Sequence, residues 1–222
     1  MSDLLKVRVS GNSYLCKWVK PNTVEIGGRE YRTVKIGNQI WMAENLDYKW
    51  TGLSIGPSGA PSTQAAWYYN NDESTYGVNG YKCGLLYNRY ALQYLENNKS
   101  TLLPDGWHVP SRYDWDELVT FVGGYATAGK KLKAVDNSIT AGFPSGWNGT
   151  DEYGFGAIPT GYRDSQGTFN IMDTYCCLQG YYASTGGTTD EGRQCFNRYD
   201  TFETCSIFFT ASGAVRLVKS LS

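Results

Sequence analysis

Residues 105–124, Asp-Gly-Trp-His-Val-Pro-Ser-Arg-Tyr-Asp-Trp-Asp-Glu-Leu-Val-Thr-Phe-Val-Gly-Gly, constrain the fold more than any other stretch. Ser111 is placed to cap a helix, and Asp114 three residues on can support the cap and favour the positive end of the helix dipole. Trp115, Leu118, Val119 and Val122 recur at helical spacing and form a stripe that must be buried. Gly123-Gly124 then stops the helix.

On either side the pattern is that of strands. Leu5-Lys6-Val7-Arg8-Val9, a turn at Gly11-Asn12-Ser13 and Tyr14-Leu15-Cys16-Lys17-Trp18 read as a hairpin ended by Pro21-Asn22. This divides the chain into an N-terminal hairpin over residues 1–22, either an appendage for docking or an extra pair of strands on the main sheet, and a domain over 23–222. Val24-Glu25-Ile26 turns at Gly27-Gly28 into Tyr31–Ile36, and Gly37-Asn38 turns again into Gln39–Met42. Residues 49–82 lack any period and read as loop. Tyr87, Tyr90, Ala91, Tyr94 and Leu95 form the apolar face expected of a further helix. Ala214–Lys219 alternates apolar and polar side chains, which predicts a half-buried strand.

Several motifs occur in one order: VKIGNQIWMAENLDY from Val34, GLLYNRYA from Gly84, GWHVPSRYDWDELVTFVGG from Gly106, AGKKLKA from Ala128, GWNGTDEYGFGAIPTGYRDSQGTF from Gly146 and GYYAST from Gly180. They resemble the Fibrobacter succinogenes major paralogous domain, a bacterial family with a C-type-lectin-like fold, over about residues 30–219. The resemblance implies an α+β domain: two helices packed on a twisted, mainly antiparallel sheet, with long loops on one side.

Composition limits what such a domain can do. A formal charge of −1 gives no electrostatic reason to expect nucleic acid or an anionic membrane as a partner, and no membrane insertion is expected. No apolar run is long enough for a membrane helix, and the start lacks a basic region followed by an apolar run. Taken as full length, the chain is expected to be made in the cytoplasm, with a virion component as one destination. Aromatic residues make up 15%, with 18 Tyr and 26 Gly, which suits a loop-rich domain presenting Tyr on its surface.

No cofactor is expected. The carboxylate-bearing motifs by which lectins hold calcium and sugar are missing. Trp147-Asn148-Gly149 is the nearest, and Asp151 and Glu152 are the oxygens nearby. Six cysteines, with Cys176 and Cys177 adjacent, offer neither a disulfide framework nor a zinc pattern. Formylglycine-generating sulfatase modifiers share this broad fold and use a cysteine pair, yet no feature near Cys176, Cys177, Cys195 or Cys205 lowers a thiol pKa. His108 and Ser111 lack an acid and an oxyanion hole for a triad. The chain is therefore read as non-enzymatic, with Ser111 as a cap.

What remains is the C-terminal face. Where the family usually carries Trp after the Tyr pair, and Gly-Phe-Ser before the closing Val-Arg, this chain has Ala183 and Ser212-Gly213-Ala214. Some lectin-like proteins resembling this one are hosts of diversity-generating retroelements, which randomise adenines. An Asn codon ending in a pyrimidine then yields Phe, Cys, Ile, Arg, Tyr, Thr, Ala or Gly. The positions that fit are Ala183, Cys195, Phe196, Arg198, Tyr199, Thr201, Phe202, Thr204, Cys205, Ile207, Phe208, Phe209, Ala211 and Gly213. Ile207-Phe208-Phe209 reads equally as a core strand, in which case one side alone can face a ligand. The expectation is a ligand-binding, receptor-binding or display protein whose C-terminal face contacts a protein or cell-surface ligand. Homo-oligomer or virion assembly through the N-terminal segment stays open. A structural or adhesive surface domain and a calcium-independent sugar-binding lectin are the alternatives.

Overall fold

The computed structural model describes residues 4–9, 12–17, 22–56, 62–73, 83–135, 146–182 and 189–221. Ala183, the turn at Gly11, the segment at Pro21 and parts of the 49–82 loop lie outside these.

Glycine turns build the N-terminal part. Strands β1 (Leu4–Val9) and β2 (Asn12–Lys17) pair only with each other among the described strands. Strands β3 (Thr23–Ile26), β4 (Arg29–Ile36) and β5 (Gln39–Met42) follow as consecutive antiparallel hairpins. Gly27, Gly28 and Gly37 at the two turns all have positive φ, which a tight hairpin turn requires. The loop then contributes β6 (Ser54–Ile55) and β7 (Ala65–Trp67), the one parallel pairing between described strands.

Strand β8 (Leu86–Asn88) leads into α1 (Arg89–Asn97). The helix starts after Asn88, whose side chain accepts the Ala91 N–H. Tyr87 therefore belongs to a strand, and the buried helix face is Ala91, Leu92 and Leu95 with Arg89, while Tyr94 is exposed. This corrects the stripe expected from spacing, which had been run through the cap. After the one-turn α2 (Lys99–Leu102) and β9 (Trp107–His108), α3 (Arg112–Phe121) begins with the expected capping box of Ser111 and Asp114. It buries Trp115, Leu118 and Val119, with Val122 buried at its C-cap. Gly123 and Gly124 at positive φ end it. They also open α4 (Tyr125–Leu132), so the described residues hold four α-helices where two were expected.

The remaining strands are β10 (Tyr162–Arg163), β11 (Phe169–Asn170), β12 (Tyr175–Gln179), β13 (Thr189–Phe196), β14 (Glu203–Phe208), β15 (Ser212–Gly213) and β16 (Val218–Ser220). They complete a five-stranded sheet in the order β3-β4-β5-β16-β9, a six-stranded sheet β11-β10-β15-β8-β7-β6 and a three-stranded sheet β12-β13-β14. The fold is thus α+β, richer in strands than in helices, with the C-terminal strand seated between β5 and β9.

Two apolar cores hold these layers together. One gathers Trp41, Trp115, Phe155, Leu178, Cys195 and Phe202, with the Trp41 and Trp115 rings 4.6 Å apart. The other gathers Tyr31, Trp50, Tyr87, Leu92 and Leu217. The closing segment departs from its expected half-exposure, because Ala214 to Val218 are all buried, Arg216 included. Arg216 donates to Asn45 Oδ1 at 2.8 Å, to Gly156 O at 2.7 Å and to Phe155 O, so its charge-bearing fork is satisfied from inside.

Candidate binding groove on the C-terminal sheet

The three-stranded sheet has two faces. Cys176, Leu178 and Cys195 point inward to the core. Tyr175, Cys177, Cys205 and Ile207 point outward and form a third, separate apolar cluster with Ala211, flanked by Tyr162 and Phe196. Strand alternation requires this division once the register is set, since successive side chains take opposite faces.

Over the outer cluster lies a groove of about 680 Å³. Its floor is Cys177, Cys205 and Ile207, and its walls include Tyr162, Tyr175, Phe196, Ile171 and Ala211. The rings run in a chain: Tyr162 to Tyr175 at 5.7 Å, Tyr175 to Phe196 at 4.8 Å, and Phe196 to Tyr199 at 6.1 Å. Polar groups stand along the rim, and the Tyr175 hydroxyl donates to Gln194 Oε1 at 2.8 Å. Among the described residues, no Lys, Arg or His lines the groove.

Asp164 is its one carboxylate. Its Oδ1 accepts from Gln166 N at 3.0 Å and Thr168 N at 2.8 Å, and its Oδ2 from Asn170 Nδ2 at 3.0 Å. Burial raises the pKa of this carboxyl, but those N–H donors outweigh it and hold it below the ordinary range. The Cys205 contact and burial push the Cys177 thiol up, and burial raises the Tyr175 phenol.

The fourteen sequence-derived positions separate into groups. Phe196, Thr204, Cys205, Ile207, Phe208 and Ala211 come together in the groove lining. Phe208 is 57% exposed and Tyr199 63%, the latter standing with exposed Arg198 in the turn before β14. Thr201 and Phe209 are half-buried, Phe209 lying beneath the Arg89 guanidinium at 3.9 Å. Cys195 and Phe202 are in the inner core, and Gly213 is buried in β15.

Sequence reasoning did not reveal Tyr162, Asp164, Gln166, Ile171, Tyr175 or Cys177 as lining residues, because they come from segments before the variable-looking stretch, and it passed over Gln194 because Gln does not fit a randomised Asn codon. Lys133 was missed as well. It is fully buried, and its ammonium donates to Phe196 O at 3.0 Å, Asn197 O at 3.2 Å, Tyr199 O at 2.8 Å and Asn148 Oδ1. Asn148 also donates to Asp200 Oδ1 at 2.7 Å. The Trp147-Asn148 corner weighed as a lectin-like cation site is thus held by the chain's own cation, which fixes the turn carrying Tyr199. Asp151 is engaged separately by Gly156 N at 2.7 Å. Among the described residues, no three of His, Cys, Asp and Glu converge as a metal site.

At the start of α3, Asp114 lies between Ser111 and His108. Ser111 N donates to Asp114 Oδ2 at 2.8 Å, and His108 Nε2 is 3.3 Å from Asp114 Oδ1. The serine hydroxyl donates to the Asp114 carboxylate and not to the imidazole, so the acid that the sequence did not reveal is Asp114, and it bridges the two side chains in place of a serine–histidine contact. Cys83, Cys176, Cys177, Cys195 and Cys205 are buried free thiols, and burial pushes the Cys195 pKa up. No described helix is long and apolar enough to cross a membrane.

Compared with known proteins, residues 34–206 match the pattern of the Fibrobacter succinogenes major domain. No curated protein and no solved structure matches the chain.

Proposed function

From the premise that the chain belongs to the Fibrobacter succinogenes major domain family, we propose that it is a non-enzymatic binding protein whose C-terminal groove contacts a protein or cell-surface ligand. The observation that carries this reading is the groove over the outer face of the β12–β14 sheet. A buried apolar cluster there is separate from both cores and forms the base of the groove, and Phe208 and Ile171 stand exposed along it. Exposed apolar surface of this kind is characteristic of an interaction site.

The C-type-lectin-like form of the α+β fold belongs to the proposal too. It is supported by a C-terminal strand that returns between strands from the first half of the domain. Diversification by a retroelement is a further part, and burial narrows it. Replacing Cys195 or Phe202 would disturb the core, and a Cβ on Gly213 would lie 3.1 Å from Cys177 Sγ. Phe196, Arg198, Tyr199, Thr204 and Phe208 are the positions free to vary without unfolding the scaffold. Display on a phage virion is the setting in which such a face would be of use. Sequencing the gene in several isolates tests the diversification. Variation at those codons beside an adenine-rich near-copy supports it, and invariance removes it.

Binding itself is tested with the Ile171→Ser, Tyr199→Ser, Phe208→Ser triple variant in a pull-down on bacterial surface extracts. Loss of binding with unchanged thermal stability is expected. Undiminished binding would take the groove out of the argument.

A further inference from the structure

Strand β14 is the outer strand of its sheet. Glu203 to Phe208 pair with β13 and with no other described strand, in an unbroken register from Gln194↔Glu203 to Thr189↔Phe208. In an antiparallel strand, alternate residues send their N–H and C=O groups to opposite sides. Half of the main-chain groups of β14 therefore point away from β13. Among the described residues, none makes a backbone hydrogen bond to Glu203 through Ile207 beyond that pairing. The nearest are Ala211 N to Phe208 O at 2.9 Å and Arg89 N to Phe209 O at 3.3 Å.

Edge strands are usually guarded by Lys, Pro, a bulge or a covering segment. The sequence Glu-Thr-Cys-Ser-Ile-Phe has no Lys or Pro, and the register has no bulge. Its single charge, Glu203, sits at the end.

The groove follows this same edge. Cys205 and Ile207 turn their side chains to the groove floor, whereas Thr204, Ser206 and Phe208 belong to the other face of the strand. All five border the groove, so it wraps around the rim of β14 where the unpaired main-chain groups lie. An occupant must then offer two things. It needs main-chain donors and acceptors in a row, and it needs apolar or aromatic side chains, one every second residue, to meet Ile207, Phe196, Tyr162 and Ile171. Charge narrows the choice further. With Asp164 as the one charged side chain in the lining and no cation, an acidic side chain pointing inward would have no partner.

Resting on the binding function proposed above, we propose that the ligand is an extended peptide segment of a partner protein, added to β14 as a fourth strand. Its groove-facing side chains are apolar and none of them is acidic. Main-chain pairing would supply affinity, and the alternate side chains would supply selection. A six-residue strand spans roughly 20 Å, enough for three inward side chains. A glycan could stack on the same rings but would leave the edge unpaired.

The test is to select a phage-displayed random dodecapeptide library on the immobilised full chain. The enriched peptides are then synthesised and amide hydrogen exchange in the chain is followed by NMR. The expected peptides alternate apolar residues, and their binding slows exchange at alternate amides of Thr204 to Phe208 by about tenfold or more. Ser206→Lys, at an exposed position, should weaken peptide binding about tenfold or more at unchanged melting temperature, and Thr204→Lys should weaken it as much with some loss of stability, because Thr204 Oγ1 accepts from buried Arg193 at 3.0 Å. The proposal falls if no peptide is enriched, if bound peptides leave the β14 amides unchanged, or if the lysine variants bind as the parent does. It falls equally if a glycan array gives ligands that occupy the groove instead, or if sedimentation shows β14 paired with a second copy of the chain. Any of these outcomes, with the triple serine variant still losing surface binding, overturns the peptide and leaves the binding function standing. If that variant binds undiminished, both fall.

Discussion

Cys176 and Cys177 are neighbours in the chain and face opposite sides of the β12–β14 sheet. Cys176 meets Cys195 in the inner core, beside Leu178, Phe202 and Trp115. Cys177 meets Cys205 on the outer face, where Ile207 and Ala211 complete a cluster that ends at the groove. Residue types on the two faces are alike, so hydrophobicity does not separate them. The difference is what lies above each face: helix α3 and the five-stranded sheet on one side, a groove walled by the β10–β11 segment on the other. A face covered by the protein's own elements is fixed by packing, and a face left open can be fitted to something else.

The largest effect that would break this comparison is expected at Phe202, which is fully buried with its ring 6.1 Å from that of Trp115. Phe202→Ser should destabilise the fold by about 3–5 kcal/mol, read as a lower urea midpoint at unchanged slope. Phe208→Ser, six residues on and facing solvent, should stay within about 0.5 kcal/mol. Similar losses at both would mean that the exposed side chains bordering the groove are also structural.

Next comes Lys133. Lys133→Met keeps the stem but strands three backbone carbonyls and Asn148 Oδ1, for a loss on the order of 3 kcal/mol. Because those carbonyls belong to Phe196, Asn197 and Tyr199, amide exchange in that turn should quicken more than in β12. Uniform quickening would deny Lys133 its role in holding the turn.

Gly192 shows that the outer face is not uniformly tolerant. A Cβ there would lie 2.6 Å from Leu178 O and 2.7 Å from Ile207 Cδ1. Gly192→Ala should cost about 1–3 kcal/mol and displace Ile207 at the groove floor. A neutral substitution would show that the sheet can yield beneath the groove.

These positions also show which parts of the molecule were legible in sequence. The α3 cap, its stripe and its Gly-Gly stop were read correctly because each signal is local and bears on backbone geometry. Asn88 carried a signal of the same kind, a capping side chain, and passing over it placed Tyr87 on a helix that begins after it. Lys133 and Arg216 were illegible for another reason. Residue type predicts exposure for both, and only carbonyls brought in from distant segments make burial tolerable. The groove was half legible. Codon compatibility pointed to Thr204, Cys205, Ile207 and Phe208 on its β14 side, whereas Tyr162, Asp164 and Ile171 reach it through tertiary pairing of β10 and β11.

The smallest effect concerns pH and separates the fold from the groove. His108 is the single histidine, and it sits against Asp114 at the start of α3. Burial alone lowers its pKa, but the hydrogen bond and charge of Asp114 outweigh that and raise it above the ordinary value of about 6.5. A raised folded pKa means that the folded chain binds the proton more tightly than the unfolded chain does. The stabilisation is thus fully present below about pH 6.5 and is lost as pH rises through the higher folded value. Asp114 behaves oppositely: burial raises it, the bonds from His108 and Ser111 outweigh burial and lower it, and its contribution is lost as pH falls below the ordinary carboxylate range. In the groove, Asp164 is held low while Cys177 and Tyr175 are held high, and no histidine is present. Between about pH 5.5 and 8, stability should therefore decline gently on the alkaline side, and His108→Gln should flatten that decline. Ligand affinity over the same range should stay level in both proteins. An affinity that follows the His108 titration would mean that the inner and outer faces are coupled through the sheet, and the separation drawn between them would fail.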